Sequence, residues 1–133
     1  MSATLHLNAR DNFRTGIIPA QPVSNAGTYD LVATITNRFG CRIFTITGIV
    51  AGAGPLTGLK ISVAATHGGT HRDRLVDADF NTATRLLPFC SSSPHLTTTG
   101  NTFQFELDLT GVAEIKLYGK SANGATIGLE VGC

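Results

Sequence analysis

Residues 102–132 read TFQFELDLTGVAEIKLYGKSANGATIGLEVG, and their rhythm decides the fold class. Phe103, Phe105, Leu107 and Leu109 alternate with Gln104, Glu106 and Asp108. Thr110-Gly111 then turns the chain. Ala113, Ile115 and Leu117 alternate with Glu114, Lys116 and Tyr118, and Ile127, Leu129 and Val131 repeat the pattern beyond Asn123-Gly124. Successive side chains of a strand point to opposite faces, so a period of two marks a strand with one dry and one wet face. Asn-Gly is a strong hairpin signal, because both central residues of a type I′ turn need φ > 0. The stretch predicts a three-strand meander with Glu106, Glu114 and Glu130 at solvent positions of regular strands.

The same rhythm recurs upstream. Tyr29, Leu31, Ala33 and Ile35 alternate with Asp30, Val32, Thr34 and Thr36, and Leu59, Ile61, Val63 and Ala65 with Lys60, Ser62 and Ala64. Between them, Cys41–Val50 carries Ile43, Phe44, Ile46, Ile49 and Val50, a density that suits burial on much of both faces. Thr4–Leu7 is a short first strand. Residues 8–27 lose the period. Gly16, Pro19, Pro22 and Gly27 interrupt them while Phe13, Ile17, Ile18 and Val23 remain. A structureless connection of that length is uncommon inside a compact domain. We read it as an extended arm that packs on its own sheet or on a neighbouring subunit. Residues 66–100 are the least regular, with room for a short helix over Asp79–Leu87. Seven or eight strands with short turns predict an all-β chain, an antiparallel β-sandwich or jelly roll with an extended N-terminal arm. The division is 1–27 for the first strand and arm, and 28–133 for the sandwich.

A chain of 133 residues suits one core. Charged residues are 14% of it, about half the usual ~25%, which leaves a neutral surface of Thr, Ser, Asn and Gly. The net charge of +1 recruits neither nucleic acid nor an anionic membrane by field alone. No window of 18 uninterrupted apolar residues exists to span a membrane. Met-Ser-Ala-Thr leads into a strand without a signal-peptide pattern, so synthesis in the cytoplasm is the expectation. Cys41, Cys90 and Cys133 have unrelated spacings and read as reduced thiols, neither a disulfide framework nor a zinc pattern.

No constellation points firmly to chemistry. His67 and His71, followed by Asp73, Asp77 and Asp79, are donors of the kind that hold a divalent cation. They straddle Gly68-Gly69, so a solvated polar loop is the plainer reading. The glycine and terminal glutamate of a calcium loop are missing. Gly119-Lys120-Ser121 ends like a phosphate loop, but the required earlier glycine position holds Glu114. Ser91–Ser93 near His95 lack a nucleophile elbow. Tyr118 has an outward position from which a sugar could be stacked, although an edge or interface contact is the simpler role. We expect no enzyme activity, no cofactor and no metal site.

Three runs carry a resemblance: Phe103–Gly111, Ala113–Leu117 and Ser121–Ile127, preceded by Asp79-Phe80-Asn81-Thr82-Ala83-Thr84. Together they resemble small β-sandwich proteins of tailed-bacteriophage virions. The chain ends in Glu130-Val131-Gly132-Cys133 and lacks the SxDGxxW tail of many tail-associated relatives. The resemblance therefore implies the capsid decoration, or cement, type. Such proteins sit on the capsid exterior, commonly as trimers, and clamp subunits of the major capsid protein. The alternative is a tail- or fibre-associated module that recognises a host glycan or another virion protein. On the decoration reading, Phe13, Ile17 and Ile18 grip a neighbour and Arg10 and Arg14 form a charged rim; Leu86, Leu87 and Phe89 are a second candidate patch, with ordinary core as the plainer reading. Removal of residues 1–20 is then expected to leave a folded domain that no longer binds particles.

Overall fold

The computed structural model describes residues 2–7, 15–37, 42–52, 56–76 and 102–132. Among these residues nine strands follow one another: β1 (Ala3–Leu7), β2 (Thr15–Val23), β3 (Asp30–Asn37), β4 (Ile43–Ala51), β5 (Leu56–Ala64), β6 (Arg72–Leu75), β7 (Thr102–Asp108), β8 (Glu114–Ser121) and β9 (Ala125–Gly132). Among the described residues there is no helix, and so none long and apolar enough to cross a membrane. The segment considered for a short helix, Asp79–Leu87, lies outside the described residues.

The strands form two sheets, β1-β3-β8-β5-β6 and β2-β9-β4-β7. All pairings are antiparallel except β1 with β3. The chain changes sheet at every connection but β5 to β6. From β2 onward this gives two interleaved four-strand sets, β2-β9-β4-β7 and β3-β8-β5-β6, the strand order of a jelly roll. β1 is an added edge strand.

This order corrects the meander expected for β7, β8 and β9. β8 belongs to the larger sheet, while β7 and β9 flank β4 in the smaller one. The glycines do what their sequence implied: Gly111 has φ 76° and Gly124 φ 84°. The Asp108 carboxylate accepts from the Thr110 amide and hydroxyl at 2.9 and 2.8 Å, closing that turn locally. A turn reverses the chain, however, without deciding whether the strands it joins pair side by side or stack face to face.

Alternation fills the space between the sheets. Ile115 and Leu117 of β8, Leu59 and Ile61 of β5 and Ile35 of β3 meet Phe44 and Ile46 of β4 and Ile127 and Leu129 of β9, all fully buried. Gly119 leaves room on the inner face of β8 for side chains of the opposite sheet. A Cβ there would stand 2.7 Å from Ile127 Cδ1 and 3.1 Å from Val23 Cγ2.

The described part of the arm packs on its own sheet. β2 pairs with β9 from Thr15↔Gly132 to Val23↔Ala125, with a bulge between Ile18 and Gln21. Removal of residues 1–20 would therefore strip β1 and most of β2 and take Ile18 out of the core. The expectation that a folded domain survives that truncation is corrected on this ground.

Candidate interaction surfaces

The outer face of the smaller sheet is built by β4. Its inward residues Phe44, Ile46 and Val50 are buried, while Ile43 and Ile49 on the other side are 51% and 47% exposed. The apolar density of this strand led us to expect burial on much of both faces, and the fold covers one. Register brings β2 and β9 alongside: Ile17 pairs with Glu130, which pairs with Thr47. Ile17 is 75% exposed. A shallow depression of about 630 Å³ is lined by Gly16, Ile17, Thr45, Thr47 and Glu130. A second of about 260 Å³, lined by Ile17, Pro19, Ala20, Ile49 and Gly128, lies on the other side of Ile17. The result is a threonine-studded face with exposed isoleucines and three carboxylates, Glu130 of β9 and Glu106 and Asp108 of β7, which register sets beside Thr45 and Ile43. Pro19, Pro22 and the bulge deny β2's free edge a regular ladder, so an approaching protein meets side chains rather than a sheet edge.

The candidate interface residues divide accordingly. Ile17 points outward. Ile18 is 2% exposed and belongs to the core, because adjacent residues of a strand face opposite ways. Arg10, Phe13, Arg14, Leu86, Leu87 and Phe89 lie outside the described residues, as do Asp77, Asp79, Ser91–Ser93, His95 and all three cysteines. Ile43 and Ile49 were missed as surface residues. The signal was available, since they stand at odd positions of a strand whose even positions already fill the core.

The outer face of the larger sheet holds two polar clusters. In the first, the β5–β6 loop folds back so that His71 Nε2 lies 2.7 Å from Glu114 Oε1 and His71 Nδ1 lies 3.1 Å from Ser62 Oγ. The Gly68 amide donates to Glu114 Oε2 at 3.2 Å. Glu114 is only 7% exposed, which corrects its reading as a solvated strand residue. It points away from the hydrophobic core as alternation requires, but the loop roofs it over. Burial is the largest single influence on its carboxyl and pushes the pKa up. The His71 hydrogen bond, the Gly68 amide and the nearby charges of His71 and Lys116 together outweigh burial and hold it below the ordinary value. Carboxylate, imidazole and hydroxyl stand in the order of a hydrolase relay. Ser62, however, is 2% exposed, so its oxygen cannot be approached by a substrate in this arrangement. The trio acts as a clamp that orders the loop read from sequence as solvated. His71 is committed to it, and among the described residues no three His, Cys, Asp or Glu side chains gather to hold a metal ion.

The second cluster lies at the other end of the same face. Lys60 Nζ sits 4.9 Å from the Tyr29 ring centroid and 4.4 Å from that of Tyr118, and Lys120 Nζ sits 4.8 Å from that of Tyr29. Asp73 Oδ1 is 3.9 Å from Lys60. The outward position expected for Tyr118 is therefore occupied by a cation–π contact.

No protein-family model matches the chain, and no curated protein matches it. Several solved structures show likeness of shape, three of them as follows. The SPBc2 prophage-derived protein YomS is 12% identical, with a TM-score of 0.46 over 90% of this chain and 95% of its own. A structure of Bacillus endospore appendages, described as a novel family of disulfide-linked pili, is 10% identical, with a TM-score of 0.40 over 88% of this chain and 83% of its own. A structure of infectious bursal disease virus, Gx strain, is 14% identical, with a TM-score of 0.43 over 90% of this chain but only 32% of its own. At these values the likenesses carry no functional information.

Proposed function

We propose that this chain is a structural virion protein that decorates and stabilises a bacteriophage capsid, docking on the major capsid protein through the outer face of the smaller sheet. The observation that carries the reading is the half-satisfied strand β4, with Ile43 and Ile49 left at the surface of the sheet that also exposes Ile17, and Ile49 lining one depression with it. Covering the remaining surface of the three isoleucines would remove roughly 300 Å² of apolar area, worth about 7 kcal/mol gross at ~25 cal/mol per Å². Association costs about 4–15 kcal/mol, so these side chains alone do not hold a monomer on its partner. A repeating lattice and a trimeric ligand overcome that deficit through multivalency. The proposed partners are thus the capsid lattice on the virion exterior and two further copies of this chain.

The test is co-sedimentation with undecorated shells of the cognate phage, beside light scattering of the free protein. The wild type is expected to pellet with shells. Ile17→Asp/Ile49→Asp is expected to lose at least tenfold in affinity while melting like the wild type. A well-folded variant that still pellets, or a wild type that never does, overturns the reading.

A further inference from the structure

The chain contains three lysines and two tyrosines, and all five lie on the outer face of the larger sheet or at its edge. Lys116, Tyr118 and Lys120 alternate with buried residues of β8 and so share one side. Lys60 stands beside Tyr118 in the register of β5 with β8, and Tyr29 precedes β3. The contacts run in series, Lys120 on Tyr29, Tyr29 on Lys60, Lys60 on Tyr118. A lysine side chain ordinarily loses much rotamer freedom when it binds a ligand. Here the rings already hold two ammonium groups in place, so less of that loss remains. The overall charge of +1 conceals this local concentration, and the described acidic residues nearest to it are engaged. Asp73 is shared with Lys60, Glu114 with His71, and Asp30 accepts from the Ser24 amide at 2.7 Å.

We propose that this face binds an acidic polysaccharide, a sugar chain bearing carboxylates, laid along β8. Side chains two apart on a strand are separated by about 6.8 Å, so Lys116 and Lys120 spring from points roughly 14 Å apart, with Lys60 and Tyr118 between them. Beside Lys116, register sets Thr34 and then Thr4, which supply hydroxyls to sugar oxygens. Single-stranded nucleic acid fits less well. Its bases need bare aromatic faces to stack on, and ammonium groups sit over these rings. The proposal does not rest on the capsid reading, since the two faces are opposite sides of the sandwich.

Calorimetric titration of the full chain at low salt tests it, with three probes: an alginate hexasaccharide, a neutral dextran oligosaccharide of equal length and a thymidine hexanucleotide. Alginate is expected to bind, dextran not to, and the oligonucleotide to bind more weakly than alginate. Lys120→Gln should weaken alginate several-fold, and Lys60→Gln/Lys120→Gln at least tenfold, with both variants still melting cooperatively despite the lost ring contacts. Arg42→Gln, an equal loss of charge away from the patch, should stay within twofold. No alginate binding, an Arg42→Gln loss equal to that of Lys120→Gln, dextran bound as well as alginate, or the oligonucleotide bound as tightly would each overturn the proposal.

Discussion

Replacing Glu114 by alanine tests whether the clamp on the β5–β6 loop is a stabilising device. The carboxylate accepts from His71 and from the Gly68 amide, and it is almost wholly covered. Two hydrogen bonds to a charged acceptor are worth about 1.5–3 kcal/mol each. Against this, the substitution relieves the cost of keeping a carboxylate out of water, which offsets about half of that sum. The expected loss is about 2–3 kcal/mol. Unfolding entropy of about 2.1 cal/mol/K per residue makes 1 kcal/mol worth roughly 3.5 °C for a chain of this length, so the melting temperature should fall by roughly 7–11 °C at pH 7. The effect has a pH signature. The folded carboxyl titrates below its unfolded value, so its contribution is complete above the unfolded pKa and disappears as pH falls through the folded one. Melts from pH 7 down to pH 3 should therefore show wild type and Glu114→Ala converging in acid. A variant that melts within 2 °C of the wild type at pH 7, or a gap that stays constant on acidification, refutes the clamp.

His71→Ala should cost at least as much as Glu114→Ala, about 3–5 kcal/mol in chemical denaturation, because it leaves a buried carboxylate with only the Gly68 amide. Ile18→Ala should cost about 2–4 kcal/mol and Ile17→Ala less than about 0.5 kcal/mol, a contrast that denaturant midpoints of the two variants would read directly. Gly52→Ala should destabilise by about 2 kcal/mol, since Gly52 has φ 107° and a Cβ would stand 3.0 Å from the Ala125 backbone; equal stability would mean that this turn is built differently. A chain lacking residues 1–20 should lose its cooperative melt, and a sharp wild-type-like transition would show that β1 and β2 are dispensable.

The fold class was legible because alternation is a local property, and β8 and β9 display it without interruption. Their placement in different sheets was not legible. Each strand has one oily side, and that side is equally well buried whether the partner lies about 4.8 Å away in the same sheet or about 10 Å away across the core. Glu114 shows the same limit at the level of a site. Its parity correctly set it on the outer side, but no local pattern reveals that a loop more than forty residues earlier will cover it and supply His71. Ile17 and Ile18 separate by parity alone once β2 is known to be a strand. Pro19 and Pro22 hid that fact by breaking the period, and they are compatible with it only because β2 is an edge.

The two outer faces differ in kind, and the difference follows from which strands occupy the middle of each sheet. In the smaller sheet the inner strands β9 and β4 present Ile43, Thr45, Thr47, Ile49, Gly128 and Glu130 outward, and the edge strand β7 adds Glu106 and Asp108 beside them, so the charges other than Glu130 lie along one margin. In the larger sheet the inner strand β8 presents Glu114, Lys116, Tyr118 and Lys120, every one able to hydrogen-bond. Seating the first face on a protein lattice removes apolar area over Ile17 and Ile49, with Glu106 and Asp108 left at the β7 margin and Glu130 matched by a partner cation. Seating the second would strand ammonium groups away from solvent, at several kcal/mol each unless matched by anions. A sandwich attached to a shell in the favourable orientation therefore turns its lysine and tyrosine face outward, where a charged ligand can reach it. Reversing that preference takes little: Thr47→Lys with Ile49→Lys should abolish shell attachment and leave alginate binding within twofold, whereas Lys60→Gln/Lys120→Gln should do the opposite. Loss of both properties in either variant would mean that the two faces do not act separately.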